Sequence, residues 1–254
     1  MTFLDAKNYL TAMLFKSEQK AVPLNLKIGQ PLNIQTTPFL KLGIYSSLVN
    51  PPKANETIKA ISHAKLSGGN HIWKFHLKTE EATQDQQWVQ IFTDPQGVPL
   101  EAYYFSKLVR FTPENQEDQE IYTGVKGYGL GDTEFTLSQD NLMECDADPD
   151  RLALTFKENS NVIFERDAGS KGDVFMTPFE VEEIRIDDSN GATGQKLKSH
   201  FMLYERTVSE EKELLLISMD FTESKNGDES KQELWVNFSA GIPLDLARLT
   251  VSQF

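Results

Sequence analysis

The sequence predicts a mainly β protein of the α+β type, with antiparallel sheets, hairpin connections and one short N-terminal amphipathic helix. Short alternating apolar runs recur from Pro23 onward, and Pro and Gly residues separate them. Few stretches between these runs are long and periodic enough to be crossover helices. Because parallel strands need such crossovers and antiparallel strands do not, hairpins are the expected connections.

Residues 1–22 are predicted to form the amphipathic helix and a linker. Apolar residues lie three or four positions apart in residues 3–16, after Thr2 as a possible N-cap. Such a helix could dock on a membrane surface or a partner, or it could fold onto its own domain. Lys7 and Lys16 are its only basic residues, and this lack of a strongly basic face favours the second role.

Residues 23–254 are predicted to form a single β-rich domain, or two β-rich halves packed together, because a chain of 254 residues is near the size at which single cores stop growing. The polar stretches at 187–195 and 223–233 are predicted to be exposed loops. Strands are predicted at 24–28, 32–34, 39–42, 88–92, 100–111, 152–156, 162–164, 181–186, 201–204, 214–219 and 234–238.

A hairpin is predicted in residues 56–78. Its turn is Ser67-Gly68-Gly69-Asn70, since glycine takes the positive φ angles that tight turns need. A turn centred there places Ala64 opposite Trp73 and Ser62 opposite Phe75.

This register predicts that Trp73, Phe75 and Leu77 are buried and that basic residues share the other face. In an acidic chain these basic residues form a local positive patch, which could receive an acidic partner or a phosphorylated ligand. The alternative is an ordinary solvated strand face, whose lysines also protect exposed edges from aggregation. The predicted patch consists of Lys59, His63, Lys65, Lys74, His76 and Lys78.

The bulk charge disfavours nucleic-acid binding, because a formal net charge of −13 and a pI near 4.8 repel phosphate backbones. The chain begins without the basic start and apolar run of a signal peptide, and it lacks the ~20 consecutive apolar residues that span a bilayer. Cys145 is the only cysteine. These features predict a cytoplasmic protein without a transmembrane segment, and they give only weak support to peripheral membrane association.

No catalytic, cofactor or metal motif is predicted. The glycine-rich segment Gly124–Gly131 is followed by Phe135-Thr136-Leu137, which resembles a strand, whereas phosphate-binding loops open a helix. Asp146, Asp148 and Asp150 alternate like the start of a calcium loop, but Arg151 stands where that loop needs glycine.

Tyr204 and Arg206 are expected on one face of a strand, as structural or partner-facing residues. Arg206 could form an internal ion pair with Glu213 across a turn at 207–212, or it could be an anion site that faces a partner. We favour the internal pair, because the strands on either side look like arms of one hairpin.

The order of several segments resembles a known family. They are Pro23–Gly29, Lys59–Phe75, Trp88–Ile91, Gly129–Phe135, His200–Ser218 and Gly241–Asp245. Together they are similar to the bacterial YjfK-like family of unknown function, over residues 23–251. The resemblance implies a cytoplasmic accessory protein whose partners act at the inner membrane, and it brings no catalytic residues.

Two function hypotheses follow. The leading one is a non-enzymatic binding or accessory protein with an unidentified protein partner and no cofactor, linked to membrane or envelope stress as the resemblance implies. The alternative is an enzyme or a small-ligand-binding protein with its site in a cleft between β-halves. A deep pocket with buried carboxylates or histidines of shifted pKa would favour the alternative.

Overall fold

The computed structural model describes residues 22–42, 47–53, 56–78, 86–145, 149–170, 172–191, 193–208, 210–223 and 233–251. The predicted N-terminal helix, and all but the two end residues of the polar stretch predicted at 223–233, lie outside these ranges. The strands and helices named below lie within these ranges.

Residues in strands far outnumber residues in helices, which confirms the prediction of a mainly β protein. The strands are β1 Pro31–Asn33, β2 Glu56–Lys65, β3 His71–Leu77, β4 Gln87–Thr93, β5 Pro99–Phe111, β6 Glu134–Ser138, β7 Asn161–Arg166, β8 Phe179–Ile186, β9 Gly194–Val208, β10 Glu211–Glu223, β11 Glu233–Leu244 and β12 Thr250–Val251. The α-helices are α1 Thr37–Lys41, α2 Gln116–Thr123, α3 Gln139–Glu144 and α4 Pro149–Phe156.

Eight of these strands close into an antiparallel barrel. Around the barrel the strands follow the order β2, β3, β4, β5, β11, β10, β9 and β8, and β8 pairs with β2 to close the ring. Closure pairs the edges that an open sheet would leave exposed. Outside the ring, β1 and β12 extend from the start of β2, and β7 and β6 extend from the end of β9.

Both faces of the barrel wall are largely buried. A small core fills the interior and includes Ala64, Trp88, Phe105, Phe201 and Leu216, contributed by five different strands. A larger core lies on the outer face, where helices and connecting segments pack against the wall. The Phe39 and Tyr104 rings, 5.1 Å apart, are one such contact. Successive side chains along a barrel strand therefore point alternately to the inner core and to the outer core, and both of these are buried.

Two short segments predicted as strands are α-helices, and the strand predicted at 24–28 is also wrong, because a 3-10 helix at Pro23–Asn25 and a turn occupy it. Residues 39–42 fall at the end of α1, and residues 152–156 fall within α4. A short apolar run suits a buried strand and a helix equally well, so periodicity could not separate them. Both helices have proline in the first turn, Pro38 and Pro149, where its fixed φ favours helix initiation.

The predicted register of the β2–β3 hairpin is wrong by one residue. Lys65 pairs with His71 and His63 pairs with Trp73, so the loop is symmetric about Gly68. The Leu66 amide donates to the Asn70 carbonyl at 2.8 Å and closes this loop. A shift of one residue changes which side chains of β2 and β3 share a face.

Candidate functional site

Charged side chains and one histidine converge inside the barrel where β3, β5, β8 and β10 end. The register of the strands carries these residues to the same end of the ring. We call this region the polar end of the barrel. It consists of Lys59, Lys74, His76, Lys107, Arg110, Glu183, Arg185 and Asp220.

A close ion pair joins β3 and β8 on the inner face of β2, the strand that lies between them. Lys74 Nζ lies 2.5 Å from Glu183 Oε2, and the Glu183 side chain is only 5% exposed. Burial alone would lower the pKa of Lys74, but the charges of Glu183 and Asp220 outweigh burial and raise it. The pair therefore holds Lys74 in its charged form inside the wall.

Asp220 of β10 lies beside this pair. Its carboxylate accepts hydrogen bonds from Ser199 Oγ at 2.6 Å and from Asn237 Nδ2 at 2.8 Å. Burial raises the pKa of Asp220, while Lys74 and the bond from Ser199 act in the opposite direction. Asp220 thus links three neighbouring strands, β9, β10 and β11, at the polar end.

Lysines and arginines outnumber carboxylates among the residues that define the polar end. Burial, followed by the charges of Arg185, Lys74, Lys59 and Lys107, holds the pKa of His76 well below its usual range. Burial and the charge of Arg110 lower the pKa of Lys107 to about 8, although Asp220 opposes this shift. Burial is the larger cause of both shifts, and the neighbouring cations act in the same direction.

Two arginines lie on opposite sides of the polar end. The guanidinium of Arg110 stacks over the Trp235 ring, 4.3 Å from its centroid. Arg185 Nε lies 2.6 Å from Asp187 Oδ1, in the loop that follows β8. The electrostatic attraction between a cation and an aromatic face stabilises the charged guanidinium where water is partly excluded.

The barrel interior is filled by side chains. Among Ala64, Lys74, Gln90 and Phe201 only enough space remains for about one water molecule. Within the described part of the chain, the buried atoms Gln90 Oε1 and Trp88 Nε1 have no hydrogen-bond partner. The interior therefore offers unsatisfied polar atoms but no room for a small-molecule substrate.

The structure divides the basic patch predicted on the hairpin. Lys59, Lys74 and His76 meet at the polar end, but Lys74 and His76 point into the barrel, so the predicted outward direction of these two is wrong. The reason is barrel closure, which buries both faces of β3. The prediction that Trp73, Phe75 and Leu77 are buried is confirmed.

Of the other three members of the predicted patch, His63 and Lys65 lie apart from the polar end, whereas Lys78 directly follows the last residue of β3 at that end. His63 stacks on Trp73 with ring centroids 4.2 Å apart, and its Nε2 lies 2.8 Å from His71 Nδ1. Lys65 and Lys78 are exposed. His63 and Lys65 lie on the face of the hairpin opposite to Lys74 and His76.

Arg206 forms the ion pair with Glu213 that we favoured. Tyr204 is fully buried, and its hydroxyl accepts a hydrogen bond from the Gly131 amide at 2.8 Å. Both side chains lie on the outer face of the barrel wall, below the connecting segments. Their contacts support the structural role rather than the partner-facing one.

Sequence reasoning missed most of the polar end, namely Lys107, Arg110, Glu183, Arg185 and Asp220. The alternation of Glu183 and Arg185 in β8 was visible, but it is typical of a solvated strand face. Only closure of the ring places these positions inside.

No three His, Cys, Asp or Glu side chains come together as a metal site would need, within the ranges that the structure describes. In the same ranges, every helix is too short or too polar to cross a membrane.

Residues 96–250 match the model of a family described as "Protein of unknown function (DUF2491)". The match covers more than half of the 254-residue chain. It contains the part of the polar end contributed by β5, β8 and β10, whereas Lys59, Lys74 and His76 precede it. No curated protein and no solved structure matches the chain.

Proposed function

Because the chain belongs to the DUF2491 family of proteins of unknown function, we propose from its structure that it is a non-enzymatic accessory protein that binds an anionic partner or ligand. The observation that supports this proposal is the polar end of the barrel. There, cations from β2, β3, β5 and β8 converge in a chain whose formal net charge is −13. A local positive region in an acidic protein attracts anions that the rest of the surface repels.

The filled interior favours binding at the rim of the barrel over catalysis inside it. Lys74 and Glu183 neutralise each other, and Asp220 accepts two hydrogen bonds from neighbouring strands. These contacts brace the wall and leave space for about one water molecule. An anion would therefore meet Lys59, Lys107 and Arg110 from outside.

The proposal includes a cellular setting. The resemblance to the YjfK-like family supports a cytoplasmic protein that works beside membrane or envelope-stress machinery. In this proposal residues 23–254 form one β-rich domain, and residues 1–22 form the helix and linker that precede it.

An enzyme is the second candidate, and one observation favours it. The pKa of Lys107 is lowered to about 8, so a fraction of its amine is neutral near physiological pH, as in lysines that act as nucleophiles. A lysine of this kind would attack a carbonyl group. Substrate conversion that Lys107→Gln abolishes would favour this candidate over the binding role.

Affinity capture from native extract, with mass spectrometry of proteins and retained small molecules, tests the binding role. The bait is the full chain, and the test variant is the pair Lys107→Gln and Arg110→Gln. The matched control is Lys65→Gln with Lys157→Gln, which removes the same charge from two exposed positions away from the polar end. We expect the wild type and the control to retain an anionic partner or ligand that the test variant loses. Equal retention by all three proteins would contradict the proposal.

A further inference from the structure

We propose that the barrel interior binds one structural water molecule between Gln90 and the Lys74–Glu183 ion pair, and that this water connects β4 to strands on the opposite side of the ring. The site is the small cavity described above. It does not depend on the anion-binding role proposed for the polar end, so the failure of either proposal leaves the other in place.

Side chains from six of the eight barrel strands line this cavity. In the order of the ring, β4 stands opposite β9, and β3 stands opposite β10. Gln90 of β4 and Ser199 of β9 both line the cavity, as do Lys74 of β3 and Ser218 of β10. Polar groups from facing walls therefore meet around a space for about one water molecule.

Gln90 supplies an acceptor that needs a donor. Its side chain is buried, and within the described part of the chain its Oε1 has no hydrogen-bond partner. A buried amide oxygen without a donor has lost the hydrogen bonds that it makes to water in the unfolded chain, which destabilises the folded state. Because Gln90 lines the cavity, a water molecule there restores one of these bonds.

Lys74 supplies a donor to the same water. It lies directly opposite Gln90 in the neighbouring strand, so both side chains are on the inner face of the wall. Its ammonium group has three N–H donors, and Glu183 Oε2 accepts one of them at 2.5 Å. A second N–H is available to donate to a water oxygen between Lys74 and Gln90.

Ser199 supplies an acceptor on the opposite wall. Its hydroxyl donates its one proton to Asp220 Oδ1 at 2.6 Å, and its oxygen can still accept a hydrogen bond. The water then donates to Gln90 Oε1 and to Ser199 Oγ, and it accepts from Lys74 Nζ. Three hydrogen bonds are the usual number for a buried water molecule.

The charges around the cavity favour water over an ion. The Lys74 ammonium repels a cation, and the Glu183 carboxylate repels an anion. The space is too small for an organic ligand. A neutral molecule that both donates and accepts hydrogen bonds is the occupant that matches these groups.

The water adds a connection that the strand pairing lacks. The backbone of β4 pairs with β3 and β5, whereas the water joins Gln90 of β4 to β9 through the barrel interior. A hydrogen-bonded link of this kind fixes the spacing of two facing walls, because a buried polar network that is fully satisfied makes a core more rigid.

Two measurements on the full chain test the inference. A high-resolution crystal structure locates ordered water, and NMR cross-relaxation detects water near the methyl group of Ala64, which lines the cavity. The methyl group of Ala102, buried in the outer core, is the internal reference. The test variant is Gln90→Met, which keeps the length of the side chain and removes the amide. The matched control is Gln87→Met, because the Gln87 Oε1 atom is also buried without a partner but Gln87 does not line the cavity.

We expect one water peak in wild-type crystals, within hydrogen-bond distance of Gln90 Oε1 and Lys74 Nζ. In solution, water should show cross-relaxation with Ala64 and none with Ala102. Gln90→Met should lose both signals, and Gln87→Met should keep both. If Gln90→Met does not fold, the wild-type crystal and the contrast between Ala64 and Ala102 still decide whether the site is occupied.

Three results would overturn the inference. An empty cavity in wild-type crystals, without cross-relaxation at Ala64, would show that the interior is dry. A water that keeps its position in Gln90→Met would show that Gln90 does not hold it. Equal loss of the water in Gln90→Met and Gln87→Met would mean that general loosening of β4, and not the amide of Gln90, controls its binding.

Discussion

Arg206 of β9 lies directly opposite Glu213 of β10, and its Nε and Nη2 both contact the same carboxylate oxygen, Oε2, at 2.7 and 2.5 Å. The other oxygen of Glu213 accepts from Ser47 Oγ and from the Leu48 amide, each at 2.6 Å. The Glu213 side chain is fully buried. One carboxylate therefore ties two barrel strands to a connecting segment on the outer face.

Arg206→Ala should lower the free energy of unfolding by about 3–5 kcal/mol, because it leaves the buried carboxylate of Glu213 without its cation. The matched control is Lys212→Ala, which removes the partner of Glu205 from an exposed pair on the same two strands. That change should cost about 0–1 kcal/mol. Urea unfolding measures both, and equal losses would contradict the structural role of Arg206.

Gly131→Ala should destabilise the protein by more than about 2 kcal/mol. Gly131 has a φ of +115°, and a Cβ there would collide with the carbonyl oxygen of Met176. Its amide also donates to the Tyr204 hydroxyl. Gly68→Ala is the control, since no atom lies within 4 Å of a Cβ at that position. Thermal unfolding that ranked the two variants in the opposite order would contradict the close packing at Gly131.

His76 should make the folded state less stable in mild acid. Its pKa lies well below 6.5 in the folded protein because of burial and nearby cations. Between the folded pKa and 6.5 the unfolded chain binds more protons, so stability falls as pH drops through this window. His76→Gln should flatten this part of the stability curve between pH 7.5 and 5. An NMR titration in which the His76 ring protonates above pH 6.5 would disprove the shift.

Asp167 should act in the opposite direction, at the other end of the barrel. Burial, and then a hydrogen bond and repulsion from Glu205, raise the pKa of Asp167 from 3.8 to about 6. In that window the folded state binds more protons than the unfolded chain does. The ionisation of Asp167 therefore lowers the stability of the folded protein as pH rises from 3.8 to about 6. Asp167→Asn should raise the unfolding temperature more at pH 7 than at pH 4.5. An equal change at both values would show that Asp167 does not titrate in this range.

Local patterns in the sequence predicted the long strands well. Apolar and polar residues alternate in much of 100–111, and 214–219 is a nearly continuous apolar run. Both patterns are long enough to exclude a loop, and both segments lie within barrel strands. Residues 39–42 and 152–156 were too short for a strand to be told from a helix. The large apolar residues Trp73, Phe75 and Leu77 were correctly predicted as buried, because apolar side chains of this size are mostly removed from water in a folded protein.

The polar end could not be predicted, because its residues meet through ring closure. Lys74 and Glu183 are 109 positions apart in the chain, and no local pattern links β3 to β8. The alternation of Lys74, Phe75 and His76 predicts a strand with one solvent-exposed face. In the closed barrel that face is the interior, so the charged residues needed partners such as Glu183 that only the topology supplies.

The titration of Lys107 by NMR of its side-chain amine tests the central claim most directly. We expect a pKa near 8 in the free protein. Pyrophosphate serves as the anionic probe, and at saturation it should raise this pKa by about one unit or more, because a nearby anion stabilises the ammonium form. Lys65, which is exposed, should titrate the same way with and without the anion. A Lys107 pKa that pyrophosphate leaves unchanged, in a protein that remains folded, would contradict the proposed binding of anions at the polar end.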